Sequence, residues 1–176
     1  MQTWWVSSWG VYMENYKIIT RQEYKINRNQ YAEMIKELFK NDKSEIANFK
    51  KIIRHLDFIF SNNHQNDSML ILNIEEWKII SMINFLQYNS LENLWCLFSL
   101  FTLKTKRKRG YGEKILKYGI KQIKTKQAKL LISGIEPTNI ESIKLHEKVG
   151  FRNSGKMWNE LADGFPENHM GFIMEF

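Results

Sequence analysis

Cysteine is almost absent: Cys96 stands alone in 176 residues, so no disulfide can form within the chain, and the chain is compatible with a reducing compartment. Its place inside an apolar run marks it as a small buried hydrophobe rather than a nucleophile. No apolar stretch approaches the ~20 residues of a membrane span, and no basic region leads a long apolar core at the N-terminus. Neither a membrane segment nor a signal peptide is expected, and the expected location is cytoplasmic. Repeats and low-complexity segments do not stand out. His55, His64 and His169 have no ligand-like spacing with any Cys, Asp or Glu cluster, so no metal is expected. What is there is 43% hydrophobic and 14% aromatic, the composition of a globular protein. The length predicts one domain over 1–176, long enough to bury about two thirds of its unfolded surface. The net charge of +7 is either a sign of an anionic partner or a general richness in lysine; its clustered part, Lys104 to Arg109, says more.

That cluster follows Leu94-Trp95-Cys96-Leu97-Phe98-Ser99-Leu100-Phe101-Thr102-Leu103, an apolar run fit for a strand covered on both faces. After it, Ile115, Leu116, Gly119, Ile120 and Ile123 recur at helical spacing, while Lys114, Lys117, Lys121, Lys124 and Lys126 take the other side. Strand, basic loop and helix therefore succeed one another, with Gly110 and Gly112 at the helix mouth. Up to four N–H groups there lack an intrahelical partner and the helix dipole adds partial positive charge, so an anion is favoured. Residues without Cβ let it approach, and Arg107 offers a fork suited to phosphate oxygens. The predicted ligand carries a pyrophosphate. A dinucleotide fingerprint needs a small residue where Ile115 stands, and a P-loop needs Gly-Lys-Ser/Thr where the chain has Gly112-Glu113-Lys114. What remains is Arg-x-x-Gly-x-Gly over 107–112.

Beyond a short strand-like run at Ala128–Ser133 comes Asn139-Ile140-Glu141-Ser142-Ile143-Lys144-Leu145-His146-Glu147-Lys148-Val149-Gly150-Phe151. With the loop, this segment resembles the two signatures of the GNAT superfamily of acyl-CoA-dependent N-acyltransferases, in the same order, from about Met69 onward. The resemblance implies acetyl-CoA as co-substrate. Its pyrophosphate would lie on Leu103, Arg107, Lys108, Arg109, Gly110, Tyr111, Gly112 and Glu113, and the arm leading to sulfur would lie along the helix of Asn139 and Ser142.

Taken in order, the chain opens with Trp4, Trp5, Trp9, Tyr12 and Tyr16 around Gly10, a strand or hairpin or an aromatic platform. A strand over Tyr16–Thr20 follows, then helices over Asn27–Lys40 and Ser44–Phe60, the second capped by Ser44, and a polar loop over Ser61–Ser68. Strands are predicted at Met69–Ile74, Trp77–Gln87 and Leu91–Leu103, then at Lys129–Ser133, a helix at Asn139–Val149, and a last pair at Phe151–Asn159 and Met170–Phe176. The expected fold class is α/β (α+β): a central mixed, mostly antiparallel sheet with helices on both faces, acyl-CoA N-acyltransferase-like. Residues 1–68 would form the acceptor side and 69–176 the acyl-CoA-binding core.

The expected reaction moves acetyl to a primary amine by direct attack in a ternary complex. A backbone N–H around Leu100–Leu103 is the implied oxyanion donor. Many relatives have tyrosine where this chain has His146, which shares a helix side with Asn139 and Ser142. His146 is thus a candidate general acid, or a plain helix histidine of ordinary pKa near 6.5. Glu92, at the strand entrance, and the Glu75-Glu76 turn are the nearest candidate bases, and a water chain would need none. The acceptor is expected to be a small molecule or peptide. Two other classes stay open: a nucleic-acid partner of Lys104–Arg109, including aminoacyl-tRNA as acceptor, and a non-catalytic CoA-binding module. A homodimer through the aromatic N-terminus is a further expectation.

Overall fold

The computed structural model describes residues 16–39, 46–61, 67–89, 93–162 and 166–176. The Trp-rich start, the Ser44 cap, Glu92 and the 163–165 stretch lie outside them. The order is β1 (Tyr16–Ile19), α1 (Arg21–Phe39), α2 (Ile46–Ile59), β2 (Ser68–Glu75), β3 (Lys78–Asn89), β4 (Leu94–Thr102), a 3-10 turn at Lys104–Lys106 and α3 (Tyr111–Thr125). It continues with β5 (Leu130–Ile135), α4 (Ile140–Lys148), β6 (Arg152–Met157), α5 (Trp158–Leu161) and β7 (Met170–Glu175).

The strands form one sheet in the order β1-β2-β3-β4-β5-β7-β6, antiparallel throughout except for the β4–β5 pair. This is the mixed, mostly antiparallel sheet that the sequence predicts. The one parallel pair follows from the α3 crossover, since parallel neighbours need a long connection.

Alternation along β2 divides the core. Met69 and Ile71 face α3, packing with Trp95, Leu97, Leu131 and the α3 residues Ile115, Leu116, Ile120 and Ile123. Leu70 and Leu72 face the other way, onto Tyr24, Tyr31 and Ile35 of α1 and Ile53, Leu56 and Ile59 of α2. Helices therefore cover both faces. Arg28 clamps α1 to α2 by donating from Nε and Nη2 to Asp57 at 2.8 and 2.7 Å, while the Tyr24 hydroxyl donates to the same carboxylate at 3.0 Å. Cys96 is fully buried with Leu94, Ile132 and Trp158, and burial pushes its thiol far above the ordinary range. Among the described residues no helix is long and apolar enough to cross a membrane.

Two elements differ from the sequence expectation. α1 starts at Arg21 rather than Asn27, because Thr20 Oγ1 accepts the Glu23 N–H at 3.4 Å at the helix start. Asn27 is instead a kink, φ −113°, ψ 19°, with its amide donating to Glu23 C=O at 3.2 Å. The strand expected over Phe151–Asn159 stops at Met157 and turns into α5, whose start is fixed by Met157 N–H donating to Glu160 Oε2 at 2.6 Å.

Candidate functional site

The site begins where β4 leaves β5. Their parallel pairing runs from Leu94↔Leu130 to Leu97↔Ser133 and ends there, although β4 continues to Thr102 beside β3, and β5 to Ile135 beside β7. The strands diverge beyond Leu97 and Ser133, leaving a wedge in the sheet. A bulge accompanies the divergence: Asn84 pairs with Ser99 and Phe85 with Leu97, so Phe98 is the extra residue. Asn84, buried between them, accepts the Ser99 N–H on Oδ1 at 2.7 Å.

At the open end of the wedge, β4 leads into the basic loop. Lys108 and Gly110 both adopt left-handed backbone, φ 60° and 83°, and the second is where a glycine relieves strain. Gly110 caps α3 with no side-chain hydrogen bond, and a Cβ there would meet nothing within 4 Å. Lys114 N–H makes its helical bond to Gly110 C=O, so the amides of Tyr111, Gly112 and Glu113 precede the helical ladder. Gly112 lies in closer surroundings, where a Cβ would make ordinary van der Waals contact. A Cβ would stand 3.4 Å from Thr102 Oγ1 and 3.5 Å from Leu145 Cδ2, where β4, α3 and α4 converge. The arrangement is an amide-lined, positively polarised cradle with open space over Gly110, which fits a diphosphate.

The loop's side chains mostly brace it. Arg107 Nε donates to Thr102 C=O at 3.0 Å and its guanidinium lies 5.6 Å from the Phe101 ring centroid. Lys106 bonds Glu75 Oε2 at 3.2 Å. The Tyr111 hydroxyl bonds the same Glu75, which holds that carboxyl below its usual range, Lys106 adding to the effect. Glu75 is therefore an ion-paired brace rather than a base. Glu113 is drawn aside by Lys117 at 2.8 Å and Lys148 at 2.7 Å, which lower its pKa to about 2 and join α3 to α4. Lys108 pairs loosely with Glu141 at 3.8 Å, while Arg109 and Gly110 are exposed. Leu103, half-buried, donates its N–H to Ile80 C=O at 2.8 Å.

On α4, Asn139 is the exposed N-cap and accepts Ser142 N–H at 3.2 Å. His146 departs from its sequence reading in one respect: it is 1% exposed, packed edge-on against Phe151 at 5.0 Å. Its Nδ1–H donates to Ser142 C=O at 2.8 Å, which leaves Nε2 to accept from the Ser133 hydroxyl at 3.3 Å. Burial lowers its pKa, so the imidazole is neutral at pH 7. Sequence reasoning singled out neither Ser133 nor Asn84, whose roles depend on strand pairing. The Thr20-x-x-Glu23 spacing was the overlooked signal for the start of α1. Among the described residues no group of three or more His, Cys, Asp or Glu side chains is placed to hold a metal ion.

Known proteins share this architecture. An acetyltransferase of the GNAT family from Staphylococcus aureus superimposes with a TM-score of 0.67 at 18% identity, over 91% of this chain and 98% of that one. Aminoglycoside 6'-acetyltransferase type Ii gives 0.62 at 12% identity, over 91% and 96%. The PaiA N-acetyltransferase of Thermoplasma acidophilum, solved with coenzyme A, gives 0.58 at 14% identity, over 92% and 99%. No curated protein matches the chain by sequence. At these identities the likeness shows the fold alone, but the model of the Acetyltransferase (GNAT) family matches residues 32–151. With the diverging β4–β5 pair, the glycine-lined α3 cradle and this match over most of its length, the chain belongs to the GNAT acetyltransferase family.

Proposed function

We propose that the protein transfers the acetyl group of acetyl-CoA to a primary amine by direct attack while both substrates are bound. The observation that carries this reading is the wedge beyond Leu97 and Ser133 opening beside the start of α3, whose N-cap Gly110 offers no side-chain hydrogen bond. When bound, the co-substrate supplies a thioester carbonyl and a thiolate leaving group with a pKa near that of cysteine, ~8.5. The amides of Tyr111, Gly112 and Glu113 hold the diphosphate, with Lys108, Arg109 and Gly110 completing the cradle and Arg107 fastening it to β4. Asn139 and Ser142 begin the helix that flanks the arm leading to sulfur. A backbone N–H in 100–102 is the donor we assign to the acetyl oxygen, that of Leu103 being given to Ile80 C=O. With both ring nitrogens engaged, His146 serves this reading as a positioning residue that ties α4 to β5, and the thiolate departs without a dedicated acid. Glu92 stays the sequence candidate for a base. Residues 69–176 form the acyl-donor side of one catalytic domain, while α1, α2 and the turn before β7 border the acceptor. A small-molecule amine is the acceptor class we favour, as for the aminoglycoside enzyme of similar fold.

Calorimetric titration of acetyl-CoA tests the donor half. Wild type should bind in the micromolar range, and Gly112→Asp, which sets a carboxylate beside the cradle, should bind at least about tenfold more weakly with its circular dichroism unchanged. No binding by wild type, or equal binding by the variant, contradicts the assignment. Thiol release across a panel of small amines, peptides and charged tRNA tests turnover, and silence on all of them would make the protein a non-catalytic CoA-binding module. One observation favours an RNA-borne amine as the second reading: Lys114, Lys117, Lys121 and Lys124 form an exposed stripe leading away from the loop. RNA affinity that falls steeply with salt would support it.

A further inference from the structure

The tip of the β2–β3 hairpin is built against both conformational preference and solvation. Glu76 and Trp77 form the turn with φ of 47° and 64°, positions that asparagine and glycine fill without strain. The result is an indole 90% exposed to solvent, the most exposed large apolar side chain among the described residues. Packing among the described residues does not explain it, because none of them covers the ring.

Its surroundings point to a ligand. β3 runs antiparallel to β4, so the hairpin tip lies at the same edge of the sheet as the phosphate loop, an edge joined by the Ser81↔Thr102 pairing and by Leu103 N–H donating to Ile80 C=O at 2.8 Å. The tip is also tied directly to the loop. Glu75, two residues before Trp77, binds Lys106 Nζ at 3.2 Å and the Tyr111 hydroxyl at the first residue of α3. Two residues span at most about 7 Å of chain, which keeps Trp77 close to the side of the cradle. Across Gly112, the other side is closed by Leu145 of α4 and by the Lys148–Glu113 pair.

We propose that the Trp77 indole is the stacking surface for the adenine base of the acyl donor. The inference rests on the acetyl-CoA reading above: a diphosphate on the amides of 111–113 leaves the adenosine outside the wedge, at this edge of the sheet. A purine has two π-faces and little to gain from a lysine-rich rim, whereas a large exposed aromatic ring supplies a contact worth roughly a fivefold to hundredfold in affinity. The strained turn then has a purpose, which is to hold the indole in solvent before the ligand arrives.

Trp77 makes no packing contact whose loss would unfold the chain, so the test is a CoA-binding series by calorimetry on wild type, Trp77→Phe, Trp77→Leu and Trp77→Ala. We expect Phe to stay within about threefold of wild type and Leu and Ala to lose fivefold or more. In proton NMR, the adenine H2 and H8 signals of CoA should move upfield on binding wild type and stay nearly still on binding Trp77→Leu. Wild-type affinity in Leu and Ala, or upfield shifts unchanged by Trp77→Leu, overturns the stacking role while leaving the cofactor site intact. Failure of wild type to bind CoA at all overturns the donor reading and this inference with it.

Discussion

At the scale of single residues, His146 is an anchor rather than an exposed group on its helix. The imidazole joins Ser142 of its own helix to Ser133 of β5 at the vertex of the wedge, and it does so uncharged. Burial sets its folded pKa below the ordinary 6.5. The unfolded chain therefore takes up the proton more readily, so the stability contributed is complete above about pH 6.5 and is lost as pH falls from there through the folded value. Urea unfolding of wild type should show a midpoint that declines between pH 6.5 and 5. His146→Leu should lose that slope, at a cost of about 1–3 kcal/mol at pH 7 from the hydroxyl left without its acceptor. A wild-type midpoint flat across that window would mean that the ring is charged or solvated. The residue was legible as one that shares a helix side with Asn139, but not as buried. Periodicity tells which residues share a face and is silent about what covers it; here Phe151 and Phe172 do.

Among elements, the sequence was most informative where one strand or helix carries its own pattern. The apolar runs located β2, β3 and β4, and the glycines before a lysine-lined amphipathic stretch located the cradle and α3 within a residue or two. The wedge was not legible, because it consists of pairing that stops, and neither was the bulge at Phe98, because register is a property of two strands. α5 escaped for a related reason: four residues have no helical period to read. Its purpose is visible in the packing, since Trp158 lies flat across Gly134 of β5, one residue past the vertex. A Cβ on Gly134 would fall 1.9 Å from the indole. Gly134→Ala must therefore displace Trp158, and we expect a loss of about 2–3 kcal/mol in urea unfolding. Most of that loss should vanish in a Trp158→Ala background, because the two positions share one space. Equal losses in both backgrounds would place the strain elsewhere.

For the whole molecule, one asymmetry organises the function. The sheet is continuous through β1 to β4 and through β5, β7 and β6, and it parts between the two halves just where the α3 crossover enforces parallel pairing. Helix α3 starts at the open edge, where the Lys148–Glu113 ion pair ties that start to the end of α4, and Lys108 of the loop reaches Glu141 in the first turn of α4. A fold so arranged presents amides to an anion at the edge and a gap in the sheet for whatever is attached to that anion. The direct test is to follow backbone amide resonances while coenzyme A is added to the isotope-labelled protein. The largest movements should fall on Gly110, Tyr111, Gly112 and Glu113, with a second group at Asn139 to Ser142. If coenzyme A leaves those amides unmoved while shifting others, or shifts none, the cradle is not its site and the account of acetyl transfer is wrong.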